Sequence, residues 1–236
     1  MKEVLLQGKN ICKVFSQNGE SQPVLNGINL EIFEGDFTVI MGASGAGKST
    51  LLYSLSGMDR ITSGEITYRD RKISGLSEKE MAGLRAKEFG FVFQQTHLVS
   101  NLTLFENVTV AGYVGGECSP KEVRQKASAL LTQMHVDGAK DRLPFQTSGG
   151  EAQRAAIARA MMNTPGLIFA DEPLSLIHIS CYSWWVPYLP VVEKHLCRIP
   201  AFQFLGKLDK SAITLRRMGH LPMLRIVQSV QILWFT

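Results

Sequence analysis

Short apolar runs, spaced by polar and glycine-containing joints, set the rhythm of this chain. Val4–Phe15 and Val24–Phe33 are rich in β-branched and apolar residues and predict two strands, joined by the polar stretch SQNGESQ. Phe37–Met41 (FTVIM) is a continuous apolar run, the pattern of a strand buried on both faces. A helix is expected over Lys48–Gly57, a strand over Ile66–Tyr68, a helix over Glu78–Lys87 and a strand over Phe89–Gln94. Helical patterns follow at Leu102–Ala111, Pro120–Met134 and Gly149–Asn163, the last with an alanine-rich face. Leu167–Ala170 (LIFA) is a second buried strand and runs into Asp171-Glu172-Pro173. Strands alternating with helices predict an α/β fold with a mainly parallel sheet. The 236 residues suit one large domain or two small ones.

Beyond Pro173 the pattern breaks. Pro187, Pro190 and Pro200 follow at short intervals, and all three tryptophans (Trp184, Trp185, Trp234) fall there. Charge shifts at the same place. Residues 1–174 hold 18 Lys/Arg against 19 Asp/Glu, a balance of −1; residues 175–236 hold 7 against 2, a balance of +5. So abrupt a change marks a boundary. The overall charge of +4 is too small to point to a nucleic-acid partner. Cys12, Cys118, Cys181 and Cys197 form no C-x-x-C pair, and reduced thiols are expected. The start of the chain has no signal-peptide pattern, and no apolar run reaches the ~18 residues of a membrane span. Work at a membrane would therefore need another chain as anchor.

The joint after FTVIM carries the first chemistry. Gly42, Ala43, Ser44, Gly45, Ala46, Gly47, Lys48, Ser49 and Thr50 satisfy G-x-x-x-x-G-K-[ST]. Glycines let successive backbone N–H groups turn inward on phosphate oxygens. The helix that follows adds its positive end. Lys48 supplies a full charge to the β- and γ-phosphates, and the Ser49 hydroxyl suits Mg²⁺. A strand before the loop and a helix after it are what this mechanism requires. LIFA-Asp171-Glu172 reads as the second half of such a site: Asp171 toward Mg²⁺, and Glu172 toward an attacking water.

Thr147-Ser148-Gly149-Gly150-Glu151 opens the alanine-rich helix. Ser148 with Glu151 three residues on is a capping box. A Ser-Gly-Gly helix start is also a second anion site, and a single phosphate cradle leaves that second one for the nucleotide of another subunit.

SGGE-x-QR-x-x-IARA, lying ahead of Asp-Glu-Pro, resembles the signature helix of the ATP-binding-cassette (ABC) family, with Thr147 where a leucine is usual. The resemblance covers about Glu3–Pro173. It implies a P-loop NTPase fold: a RecA-like α/β core, an N-terminal antiparallel β lobe, and a helical lobe over about 95–147. It implies Mg-ATP held between the loop Gly42–Thr50 of one subunit and Ser148, Gly149, Gly150 and Glu151 of its twin. Asp171 then matches the Mg-associated aspartate and Glu172 the catalytic base. Gln94, in FVFQQ, matches a glutamine that contacts Mg²⁺ or water and senses a permease. Phe15 stands where the family keeps an adenine-stacking aromatic, or else belongs to the core. His97 and His135 read as surface or packing residues. The wording GFVFQQTHLVSNLTLFENV is similar to the group serving lipoprotein release, macrolide export and antimicrobial-peptide resistance. That implies a homodimer at the cytoplasmic face of the plasma membrane, beneath an integral permease, with no nucleic-acid partner.

The resemblance stops at Pro173. Leu174-Ser175-Leu176-Ile177-His178 stands in place of the family's D-loop, and Phe202-Gln203-Phe204-Leu205-Gly206 lies where a switch histidine is expected. Either this tail is divergent, or it is not the natural continuation but a frameshift, chimera or assembly error; the charge shift and tryptophan enrichment favour the second. A nucleotide-binding fragment with little or no ATPase activity is the alternative reading. A soluble ABC ATPase of DNA repair or translation would need coiled-coil insertions or a second cassette. A small-molecule kinase would leave the SGGE helix without a task.

Overall fold

The structure, a computed structural model, describes residues 3–171 apart from positions 18, 37 and 117, together with two short strands at 214–217 and 231–234. The described residues fall into two compact units, divided after Met81, with the two late strands belonging to the first.

In the first unit, β1 (Val4–Gln17) and β2 (Glu20–Phe33) form a long antiparallel hairpin that turns at Gly19. β4 (Ser63–Tyr68) adds on the other side of β1, with Leu6 opposite Tyr68. Leu5, Leu6, Ile11, Leu25, Ile32, Ile66 and Tyr68 are buried and make the hairpin's core. This is the antiparallel β lobe that the resemblance implies. β5 (Arg71–Lys72) closes a two-residue hairpin with β4 that the pattern did not announce. Its turn residues Arg69 and Asp70 both have positive φ, as a type I′ turn requires. No glycine or asparagine marks the spot; only Asp70, which tolerates this conformation, hints at it.

β3 (Thr38–Met41) leads into α1 (Lys48–Leu55). A buried strand must satisfy its backbone in a ladder. Both described partners of β3, namely β8 (Thr214–Arg217) and β9 (Gln231–Trp234), run antiparallel to it and come from beyond Pro173. The expectation of a mainly parallel sheet therefore fails at β3, because the late chain supplies its ladder partners in the opposite direction.

It holds in the second unit. β6 (Phe89–Val92) and β7 (Leu167–Asp171) pair in parallel, with Phe91 opposite Phe169. Phe169 stacks on Phe91 at 5.5 Å and meets Phe89 edge-on at 5.2 Å. α5 (Gly149–Ala160) buries Ala152, Ala155, Ala156 and Ala158. Its C-terminal end comes so close to β6 that a Cβ on Gly90 would lie 2.7 Å from the Ala160 carbonyl. α3 (Leu104–Gly115) and α4 (Pro120–Gln133), each with a Ser/Thr–Glu capping box, supply the helices expected between 95 and 147. α2 (Glu78–Glu88) begins in the first unit and ends in the second. His135 sits exposed just past α4.

Asn107 on α3 is buried and organises the turn that precedes its own helix. Its Oδ1 accepts from the Val99 N–H at 2.7 Å, and its Nδ2 donates to the carbonyls of Val99, Leu102 and Thr103 at 3.0–3.1 Å. Asn107→Ala removes the partner of the Val99 N–H and of the Leu102 carbonyl, while the Val99 and Thr103 carbonyls keep backbone donors, and it should cost about 2–4 kcal/mol, read as a lower urea midpoint with an unchanged slope.

Four exposed carboxylates close helix N-termini: Glu80, Glu106, Glu122 and Glu151. All lie below the ordinary carboxylate pKa. For Glu80 and Glu122 the main cause is the serine hydroxyl (Ser77, Ser119), then the amide. For Glu106 and Glu151 the amides of Thr103 and Ser148 come first, then the hydroxyls. Depressed folded values mean that this stabilisation is complete above the unfolded pKa of about 4.3 and is lost as pH falls through the folded values. The melting temperature should thus stay level down to about pH 5 and then drop. A variant with all four changed to Gln should drop less steeply in that acid range.

Candidate functional site

Residues 42–47 leave β3 directly and curl before α1 begins. Ala46 donates to the Ala43 carbonyl at 3.2 Å, and Leu51 to the Gly47 carbonyl at 2.8 Å, closing the first helical turn. Gly45 and Gly47 have φ of 79° and 85°, where an L side chain is strained. At Gly47 a Cβ would also meet Val24 Cγ1 at 2.9 Å. The loop thus rests on β2 and accepts no larger residue there.

Lys48 is only 5% exposed. Its Nζ donates to the carbonyls of Gly42 at 3.1 Å and Ala43 at 2.8 Å, so the buried charge is carried by the loop it serves. α1 has no side-chain cap and no acid in its first turn. The other described α-helices place a glutamate there to offset the exposed N–H groups. No side chain of its own cap or first turn thus offsets the positive end of α1, which suits an external anion. Ser49 and Thr50 lie half-buried in this same turn.

Phe15 is 39% exposed and is not a core residue. The Lys13 ammonium lies 4.7 Å from its ring centroid. Lys13 itself is buried and anchored to Asp59 Oδ1 at 2.5 Å and to the Arg60 carbonyl at 2.7 Å. Strand register places Lys13 opposite Leu25 and Phe15 opposite Gln22. The ring therefore projects from the strand paired with the stretch of β2 that supports Gly47. Lys13 gave no signal in sequence; a lysine in an exposed-looking strand carries no mark of its buried anchor.

In the second unit, Asp171 ends β7 and is buried. Glu172 lies outside the described residues, as do the D-loop and switch-histidine positions and Cys181 and Cys197. Gln94 is exposed, two residues past the end of β6. Ser148 caps α5. Its Oγ accepts from the Glu151 N–H at 3.2 Å, while Glu151 Oε2 accepts from the Ser148 N–H and hydroxyl, each at 2.8 Å. Glu151 is thus engaged in the cap itself, and the tip Ser148-Gly149-Gly150 is exposed. His97, exposed, meets the Phe93 ring edge-on at 5.2 Å.

The donor types fit a nucleotide. Amide N–H groups, a helix N-terminus and an ammonium suit phosphate oxygens, while a hydroxyl and a carboxylate are hard oxygen donors for Mg²⁺.

Comparison with known proteins agrees. A family model described as ABC transporter matches residues 25–175. The chain is 42% identical over 170 residues to the lipoprotein-releasing system ATP-binding protein LolD of Wigglesworthia glossinidia brevipalpis, covering 72% of this chain and 74% of that one. It is 43% identical over 169 residues to the ABC transporter ATP-binding protein MJ1508 of Methanocaldococcus jannaschii, covering 72% and 75%. Among solved structures, the dimeric post-hydrolysis state of the cassette MJ0796 bound to ADP and Pi superposes with a TM-score of 0.66 at 36% identity, covering 72% of this chain and 74% of that one. The chain belongs to the ABC transporter family, as an ATP-binding subunit of the kind whose hydrolysis of ATP drives transport.

Proposed function

We propose that the loop Gly42–Thr50 grips the phosphates of Mg-ATP, with Lys48 on the β- and γ-phosphates and Ser49 and Asp171 as protein ligands of Mg²⁺. The observation that carries this is an α1 N-terminus with no side-chain cap and no acid in its first turn, joined to a buried lysine held by loop carbonyls. Mg²⁺, when bound, neutralises charge developing on the transferred phosphoryl group. Glu172 orients and deprotonates the attacking water, and Gln94 supplies a side-chain amide to the same water or metal. Phe15 offers its ring to the adenine, supported by its exposure and by the lysine that steadies it. Ser148, Gly149 and Gly150 close over the nucleotide of a second copy, supported by the exposure of this tip and by the dimeric state of the MJ0796 cassette. Glu151 serves by holding Ser148 in place.

The second subunit type is an integral permease, which holds this chain peripherally at the cytoplasmic face of the membrane. Among the described residues no helix is long and apolar enough to cross a membrane. α3 exposes Val110, Tyr113 and Val114, an apolar patch of the sort that marks a protein contact. The 42% identity to a lipoprotein-releasing ATP-binding protein supports lipoprotein, peptide or drug-like cargo. Residues 1–173 form the nucleotide-binding domain and 174–236 depart from the family, a division supported by the end of the family match at residue 175.

Binding reads this proposal independently of the tail. Lys48→Ala should weaken ATP affinity roughly 10–100-fold, and Asp171→Asn should abolish the gain in affinity from Mg²⁺. Calorimetry with and without Mg²⁺ measures both; unchanged affinity in Lys48→Ala overturns the assignment. For the twin arrangement, Glu172→Gln should accumulate an ATP-dependent dimer by light scattering. Ser148→Arg should prevent that dimer while leaving ATP binding to the monomer within about twofold.

A further inference from the structure

The loop that bears Gln94 is held from one side by a single helix. From α5, Gln153 Nε2 reaches the Phe93 carbonyl at 3.5 Å, a weak contact, and Gln153 Oε1 is buried without a partner. Six residues further along α5, Arg159 spans two consecutive carbonyls: Nη2 donates to Thr96 at 2.8 Å and Nη1 to His97 at 2.7 Å. This is the fork geometry that guanidinium makes and an ammonium does not. Burial lowers the Arg159 pKa from the usual arginine value, as expected for a guanidinium whose partners are neutral carbonyls.

The second of those carbonyls belongs to a strained residue. His97 has φ of 46°, in the left-handed region that costs an L side chain free energy. Such a conformation persists only where its surroundings enforce it. Two contacts do so here: the Arg159 bond to the His97 carbonyl and the edge-on packing of His97 against Phe93. Asn107 fixes the far end of the same loop at Val99. Gln94 and Gln95 stand exposed between the end of β6 and the Arg159 clamp.

We propose that Arg159 is a positioning residue: by locking Thr96 and His97 to α5 it sets where Gln94 can reach, and it ties that loop mechanically to the helix whose other end is the Ser148 tip. This rests on the reading of Gln94 as a group acting at the metal or water. The loop and the tip then move as one body, because both are fastened to α5.

The test uses the full chain with Arg159→Ala and Arg159→Lys. Backbone ¹⁵N order parameters at Thr96 and His97 should fall from about 0.85 toward 0.6 or below in the alanine variant. Lysine, which presents one nitrogen in place of the two that meet these carbonyls, should give intermediate values. Order parameters along 149–158 should stay at the wild-type level in both. Unchanged order at Thr96 and His97, or an equal loss along α5, overturns the proposal, the second because it means that the helix itself has loosened. Calorimetry separates the underlying reading. In Arg159→Ala, ATP affinity without Mg²⁺ should hold within about twofold while the Mg²⁺-dependent gain shrinks toward that of Gln94→Ala. If Gln94→Ala leaves that gain intact while the loop order still falls, the role of Gln94 fails and the clamp stands.

Discussion

The positive end of α1 is the constraint around which this protein is arranged. The N-terminal end of the helix dipole meets the glycine loop, and the buried Lys48 ammonium adds a full charge to the same place. Elsewhere the chain neutralises such an end with a glutamate three residues past the cap, at Glu80, Glu106, Glu122 and Glu151. At α1 the corresponding slot is Thr50, with Gly47 in the cap position. The loop supplies only carbonyls to Lys48. Carbonyl dipoles hold an ammonium without cancelling its charge, so the site stays positive. A site of this charge attracts anions, in keeping with the proposed grip on the phosphates of ATP.

α5 answers a different requirement. Its first turn is closed internally by Ser148 and Glu151, so it does not need a ligand in order to be a stable helix. What it offers is rigidity. The alanine face lets it lie close against its neighbours, and the contact at Gly90 leaves no room even for a methyl group. Asn163, just beyond it, donates to the carbonyls of Ala86 and Ala111, tying α2 and α3 to the same anchor. A helix fixed this firmly along its length can hold one functional group at its tip and another on its flank.

Legibility in sequence followed from whether a side-chain type is itself the signal. The glycine loop, the buried strands LIFA and FTVIM, and the Ser148–Glu151 box were all readable because geometry there demands particular residues. All eleven expected elements came within about four residues of their observed ends, Leu102–Ala111 against α3 being among the loosest. The Arg159 clamp was not readable, since its acceptors are main-chain carbonyls that every residue carries. Lys13 was missed for the same reason in part: one of its anchors is the Arg60 carbonyl. The β4–β5 hairpin was missed because Arg69 and Asp70 adopt left-handed φ without the glycine that usually advertises it. The antiparallel partners of β3 lie in a stretch whose pattern predicts no element at all.

Phe15 shows how the two kinds of information combine. An aromatic in a strand of alternating pattern is as well explained by a core as by a ligand, and sequence left those alternatives even. Exposure decides against the core. A large apolar ring left half-open would ordinarily be free to turn. Here Lys13 is fixed at its nitrogen by Asp59 and the Arg60 carbonyl, and so presents a stationary charge to the ring. A cation near an aromatic ring is attracted by its π-face, so the ring is steadied by an interaction that needs no apolar packing. The cost of ordering that side chain is then met in advance, which favours the proposed stacking of Phe15 on adenine.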